Sequence, residues 1–199
     1  HAGTHELTVI DASVLFEASM QFYVNSLLSA LPGGSRDGAD RWRRIKLPGK
    51  GPRSLAIAGS KVYVAEHFSD TLAVVDLDSG RAGGPDASPT TIALGPEPRW
   101  TARRRGELLF HDATICFQHW QSCASCHPDA RSDGLNRDLL NDGIGTPKNS
   151  RSLLLAHKTP PSMSAGVVPT AQRSVREQIK QLLFEVRPDE HSAAIDAYL

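Results

Sequence analysis

Two thiols and an imidazole stand within five residues of one another in the run Cys123-Ala124-Ser125-Cys126-His127. This run constrains the chain more than any other. A Cys-x-x-Cys-His run is the attachment signature of a c-type haem. Each thiol adds to one vinyl group of the porphyrin as a thioether, and the two-residue spacer lets both reach one ring. The histidine follows directly, so its imidazole can bind the iron from one face. Two other chemistries use paired cysteines. A zinc site needs a second ligand pair at matching spacing, and Cys116 is the only other cysteine. A dithiol motif sits between a strand and a helix in a β-α-β pattern, and none is visible. The expectation is one covalently attached haem c, held by Cys123, Cys126 and His127.

Composition then narrows the class. The 199 residues suffice for one domain or two small ones. With 22 basic and 22 acidic side chains, the balance gives no hint of a nucleic-acid partner or an anionic membrane surface. Hydrophobic residues make up 40 % of the chain, enough for a packed core, yet no apolar run reaches the length of a membrane span. The opening His1-Ala2-Gly3-Thr4-His5 is no signal peptide. Covalent haem attachment normally occurs outside the cytoplasm, so a periplasmic or extracellular location is expected, with a leader lost upstream. Cys116 reads as a buried, inert thiol, with an intermolecular disulfide as the alternative.

Two halves differ in character. Up to about Leu94 the pattern is β; from about Arg99 it is helices and loops. The first half repeats itself. Glu66 to Asp76 matches His1 to Asp11: a polar turn leads into an apolar strand that ends in Asp. Arg44 to Pro48 resembles Thr91 to Gly95. The complete unit has four strands, near Ser54–Ile57, Lys61–Ala65, Thr71–Asp76 and Thr90–Leu94, with hairpin turns at Ala58-Gly59-Ser60 and Glu66–Asp70. Four short antiparallel strands in one repeat describe a propeller blade. Lys61-Val62-Tyr63-Val64-Ala65 with Asp70 to Asp76 resembles the YVTN-type β-propeller repeat, over about one blade and part of another. That resemblance implies a chain taken from the C-terminal part of a longer protein. Ala12 to Ala30 carries Val14, Leu15, Ala18, Phe22, Leu27 and Leu28 on an apolar face compatible with a short helix. With the charged loop from Arg36 to Arg44 it reads as an insertion, near 12–41.

In the second half, Trp100 to Phe110 sets Ala102, Gly106, Leu109 and Phe110 on one side at helical spacing. Pro188, with acids in the following turn, starts a last helix, whose Ala194, Ile195 and Tyr198 share a face. Between them, Thr170 to Phe184 forms a third helix with Val175, Ile179, Leu182 and Leu183 inward. Arg105 to Phe110, Cys123 to His127, Gly145 to Leu155 and Thr159 to Met163 together resemble the cytochrome c class. They resemble most the C-terminal domain of the di-haem cytochrome c peroxidase family. The resemblance covers about a hundred residues and implies that Gly106 and Phe110 cross against Tyr198. Two departures stand out: the link from Phe110 to Cys123 is long, and a single Cys-x-x-Cys-His exists where the peroxidases carry two haems.

His127 is expected as the proximal ligand, and the other face decides function. Met163, beyond a proline-rich loop, is the leading sixth ligand; the resemblance places it near that spot, and Met20 lies in the other half. His157 is the alternative, while His111 and His119 suit surface or supporting roles. Asp129, Asp133, Asp138 and Asp142 read as a solvated loop with Asx turns, because their spacing fits no EF-hand. Arg131 or Lys148 would suit a haem propionate.

The expected architecture is β plus α: partial β-propeller blades over 1–97, then a mostly α-helical mono-haem cytochrome c domain over 98–199. The expected function is single-electron transfer with a redox partner protein; a separate reading is a binding module in which the propeller docks a partner protein and the haem serves that complex. The alternative is an oxidoreductase of the peroxidase type, with an open iron or a second haem elsewhere.

Overall fold

The structure is a computed structural model, and it describes residues 1–10, 12, 42–79, 88–138, 147–163 and 165–199. The chain divides into two compact units, His1–Pro98 and Arg99–Leu199. The expected helix within Ala12–Ala30, most of the Arg36–Arg44 loop, Met20, Asp142 and Gly145-Thr146 lie outside the described residues.

The first unit is built on period-two alternation. Strands β1 (Glu6–Ile10) and β2 (Trp42–Lys46) pair antiparallel, with Leu7 opposite Ile45. A second, four-stranded sheet runs in sequence order through β3 (Pro52–Ala58), β4 (Lys61–Glu66), β5 (Thr71–Asp76) and β6 (Thr90–Ala93). Val62 lies opposite Val75, and Val64 opposite Ala73. These four side chains pack with Leu7, Ile45 and Leu47 in one buried cluster. Tight turns join β3 to β4 and β4 to β5, and Gly59, in the first of them, has a positive φ of 60° that a Cβ would strain. Glu66 follows the same alternation into the interior and is almost fully buried. Its carboxyl group accepts the Gly49 amide at 2.7 Å and the Thr71 hydroxyl at 2.6 Å, so the buried polar group has partners.

The second unit has three described α-helices: α1 (Ala102–His111), α2 (Ala171–Gln181) and α3 (Asp189–Tyr198). The Thr101 and Thr170 hydroxyls cap α1 and α2 by accepting the amides of Arg104 and Arg173. Asp189 and Glu190 occupy the first turn of α3, where the helix dipole favours acids. Gly106 lets α1 approach α3 closely: a Cβ there would sit 1.8 Å from the Ala194 carbonyl oxygen. One turn on, the Phe110 and Tyr198 rings lie 5.2 Å apart between centroids. Leu109, Phe110, Ile115, Cys116, Ile179, Leu183, Ala194 and Ile195 form the core. Arg176 ties α2 to α3 by donating to Asp189 at 2.9 Å and Asp196 at 2.8 Å.

The expected fold class is corrected in two respects. No propeller forms: the described residues give two two-stranded sheets and one four-stranded sheet, all open, and the architecture is mixed α/β. Each strand position is a local property, but closure requires several sheets arranged around an axis. Here β3 and β6 remain edges, with Leu55, Ile57 and Ile92 exposed along them. Nor is the second unit mostly helical. Among the described residues its α-helices are 10, 11 and 10 residues long, and the described stretches between them hold short 3₁₀ turns, loops and a short pairing of β7 (Asn136–Arg137) with β8 (Lys148–Asn149). No helix among the described residues is long and apolar enough to cross a membrane.

Candidate functional site

The Cys123–His127 run lies in the second unit as a tight 3₁₀ turn beside α1. Ser122 initiates it: its amide donates to Ser125 Oγ at 3.0 Å, and its carbonyl accepts the Ser125 amide. Both the Cys126 and His127 amides then donate to the Cys123 carbonyl, at 3.2 and 3.0 Å. The turn therefore brings Cys123, Cys126 and His127 together. All three cysteines are free thiols. Cys123 and Ala124 pack against the core cluster, and burial pushes the Cys123 thiol up to about 12. Cys116 is 2 % exposed within that core, and its Sγ lies 3.4 Å from the Phe117 carbonyl oxygen.

His127 is half-buried, and its Nδ1 lies 3.1 Å from the Arg131 carbonyl oxygen. A carbonyl only accepts, so Nδ1 is the donor, and in the neutral ring Nε2 is the nitrogen left with a lone pair. That is the tautomer a metal-binding imidazole needs, oriented by its other nitrogen. Among the described residues no three His, Cys, Asp or Glu side chains gather to hold a bare metal ion. The donor set of the turn is two thiols and one imidazole, the set that two thioether bonds and one iron ligand would use.

Beyond His127 the chain folds back on the motif. Asp133 donates its amide to the Cys126 carbonyl at 3.2 Å, and Leu153 donates to the Ala130 carbonyl at 2.9 Å. Asp129 and Ala130 both adopt positive φ, 51° and 57°, in the turn between. The apolar side chains of Leu135, Leu154, Leu155 and Val167 are exposed in these loops, the kind of surface that burial under an apolar group stabilises.

The sixth-ligand candidates fall in different surroundings. Met163 is 43 % exposed, with its sulfur 3.6 Å from the Ser174 hydroxyl and 3.8 Å from the Gln178 amide nitrogen, both on α2. His157 sits in a 3₁₀ turn that contacts α2, and both its ring nitrogens are shielded from solvent without a hydrogen-bond partner. His111 Nδ1 lies 2.8 Å from the Glu107 carbonyl oxygen, with its ring against Phe110 and Tyr198; His119 is exposed. Arg131, Lys148, Asp129 and Asp138 are exposed.

Asp133 belongs to a network that sequence reasoning missed. Its carboxylate accepts both Arg137 guanidinium nitrogens, the Ser150 hydroxyl at 2.7 Å and the Leu135 amide at 3.0 Å. The Asp133–Arg137 spacing was visible, but the segment is not helical, so the spacing alone carried no meaning. No family model, curated protein or solved structure matches the chain.

Proposed function

We propose that this chain carries one covalently attached haem c and transfers single electrons to a redox partner protein. The arrangement of His127 carries the reading. Its Nδ1–H is spent on the Arg131 carbonyl, which leaves Nε2 as a ligand beside two reduced thiols in one turn. Cys123 and Cys126 would hold the group through two thioether bonds, each thiol adding across a vinyl group with its proton going to the neighbouring vinyl carbon, and His127 would bind its iron. When bound, the group supplies an iron that changes oxidation state by one electron. The protein's part is to fix the ring at two sulfurs, to orient the axial imidazole, and to cover the apolar edges with the loops around Leu135, Leu154 and Leu155. Met163 is the leading sixth ligand and His157 the alternative. Covalent attachment of this kind normally occurs outside the cytoplasm, which supports a location in the periplasm or outside the cell. The resemblance of these segments to the C-terminal domain of the di-haem cytochrome c peroxidases supports the same reading.

A second reading, a peroxidase-type haem enzyme, rests on His157. An imidazole with two unpartnered, solvent-shielded nitrogens is suited to move a proton beside an open iron. Visible spectra of the oxidised and reduced protein, with and without carbon monoxide, test both. A low-spin spectrum indifferent to carbon monoxide, with a sulfur-to-iron band when oxidised, is the expected result. A high-spin spectrum that shifts with carbon monoxide supports the peroxidase reading. Absence of covalent haem overturns both.

A further inference from the structure

We infer that Asp133 is a positioning residue for His127, holding the axial imidazole in its ligand-ready tautomer through the backbone. This rests on the haem reading above and deepens it. The residues from Cys126 to Asp133 form a loop closed at both levels. The Asp133 amide donates to the Cys126 carbonyl, and the Asp133 carboxylate is clamped from the far side by Arg137 and Ser150. Ser150 Oγ lies 2.7 Å from the carboxylate and 3.3 Å from the Cys126 carbonyl oxygen. Its one proton goes to the charged, nearer acceptor. Ser132 donates to the Ser150 carbonyl, and Asn149 Nδ2 donates to the Gly134 carbonyl at 2.7 Å, which fastens β8 along the loop. The carbonyl that orients His127 belongs to Arg131, two residues before Asp133, inside this closed loop. Moving Asp133 moves the Arg131 carbonyl. The guanidinium of Arg137 and the Ser150 and Leu135 donors hold the Asp133 carboxyl well below the usual carboxylate range, as expected for an acceptor with four donors.

The test uses the full 199-residue chain, haem-free and ¹⁵N-labelled at histidine, with the His127 tautomer read from its ring-nitrogen shifts. In the wild type the Nδ1–H form dominates. Asp133→Asn presents an amide group to Arg137 and Ser150, and the dominance of that form is lost. Asp133→Glu restores part of it. Asp189→Asn, which removes a carboxylate from a different ion pair, leaves it intact. Asp133→Asn that lowers the melting temperature but leaves the His127 tautomer unchanged would mean a merely structural residue and would overturn the inference. If Asp133→Asn does not fold, Ser150→Ala carries the test: it must shift the tautomer the same way, and no shift overturns the inference. Mass spectrometry of the haem-loaded chain separates the two levels. A wild type that takes up no haem overturns the proposed function, whereas an unmoved tautomer in a chain that loads haem overturns only the role of Asp133.

Discussion

The two units hold themselves together in different ways. In the first, alternation along β4 and β5 puts Val62, Val64, Ala73 and Val75 into one cluster, and the register does the rest. In the second, α1 and α3 cross at one point of close approach, α2 packs against α3, and hydrogen bonds between loops do the remaining work. A sheet spreads its stability over many similar pairs, each worth a fraction of a kcal/mol. A crossing at one glycine and a clamp at one carboxylate concentrate it. The second unit should therefore be the more sensitive to single substitutions, and its sensitive positions surround the Cys-x-x-Cys-His turn.

The largest effect is expected at the helix crossing. Gly106→Ala places a methyl group 1.8 Å from the Ala194 carbonyl oxygen and 3.0 Å from Tyr198 Cβ. The first neighbour is backbone and cannot swing away, so α1 and α3 must separate, at a cost of about 3 kcal/mol or more. Hydrogen exchange checks this: protection should fall through residues 99–199 and persist in β4 and β5. Equal loss in both units would break the comparison.

Next comes a chemical difference within the motif. Burial raises the Cys123 thiol from an ordinary 9.0 to about 12. Fewer thiolates form at neutral pH, although each is the stronger nucleophile, so Cys123 should alkylate about 30 to 100 times more slowly than a thiol of ordinary pKa. Peptide mapping after timed iodoacetamide treatment of the haem-free chain measures it, with Cys126 as the internal reference. A raised value favours the protonated form in the fold. That contribution is present below about pH 9 and is lost as pH rises toward about 12. Equal rates at Cys123 and Cys126 would mean that the motif turn does not pack on the core.

In the first unit the most exposed point of failure is polar. Glu66→Gln keeps the shape but turns an amide group toward one of two donors, the Gly49 N–H or the Thr71 hydroxyl. The Thr71 hydroxyl can turn to accept from that amide, so a carboxyl acceptor is exchanged for an amide one at a cost of about 1 kcal/mol. Hydrogen exchange at the β4 and β5 amides in rising urea reads this unit, and the loss should stay within it. A neutral outcome would show that water reaches the site.

Much of this was legible because it is local. The four strands from Ser54 to Leu94 follow from alternation and turns, and the observed strands run Pro52–Ala58, Lys61–Glu66, Thr71–Asp76 and Thr90–Ala93. The pairing of Gly106 and Phe110 with Tyr198 was implied by resemblance, and the helices do meet there. The thiol spacing and the adjacent imidazole were plain. Sheet closure was not legible, since it depends on how many sheets surround an axis rather than on any one strand. Nor was the Asp133 clamp, which joins residues 133 and 150 across a loop with no period to announce it. Where the Met163 sulfur points was equally hidden, because Ser174 and Gln178 on α2 set its surroundings.

The smallest effect sharpens the comparison through pH. The Asp133 carboxyl is held low by the hydrogen bonds of Arg137 first, then of Ser150 and Leu135. A lowered value means that the folded state favours the charged form more than the unfolded chain does. The stabilisation is therefore complete above the ordinary carboxylate value, near 4, and is lost as pH falls below it. The wild type should exceed Asp133→Asn in stability at about pH 6, and the gap should narrow by about pH 3. Measuring both proteins at both pH values cancels the other carboxylates, which the two share. Because the group is near the surface and screened by solvent, the gap will be modest and will shrink in high salt. A gap that stays constant with pH would mean that the clamp works by shape alone, and the second unit would then resemble the first in depending on packing rather than on charge.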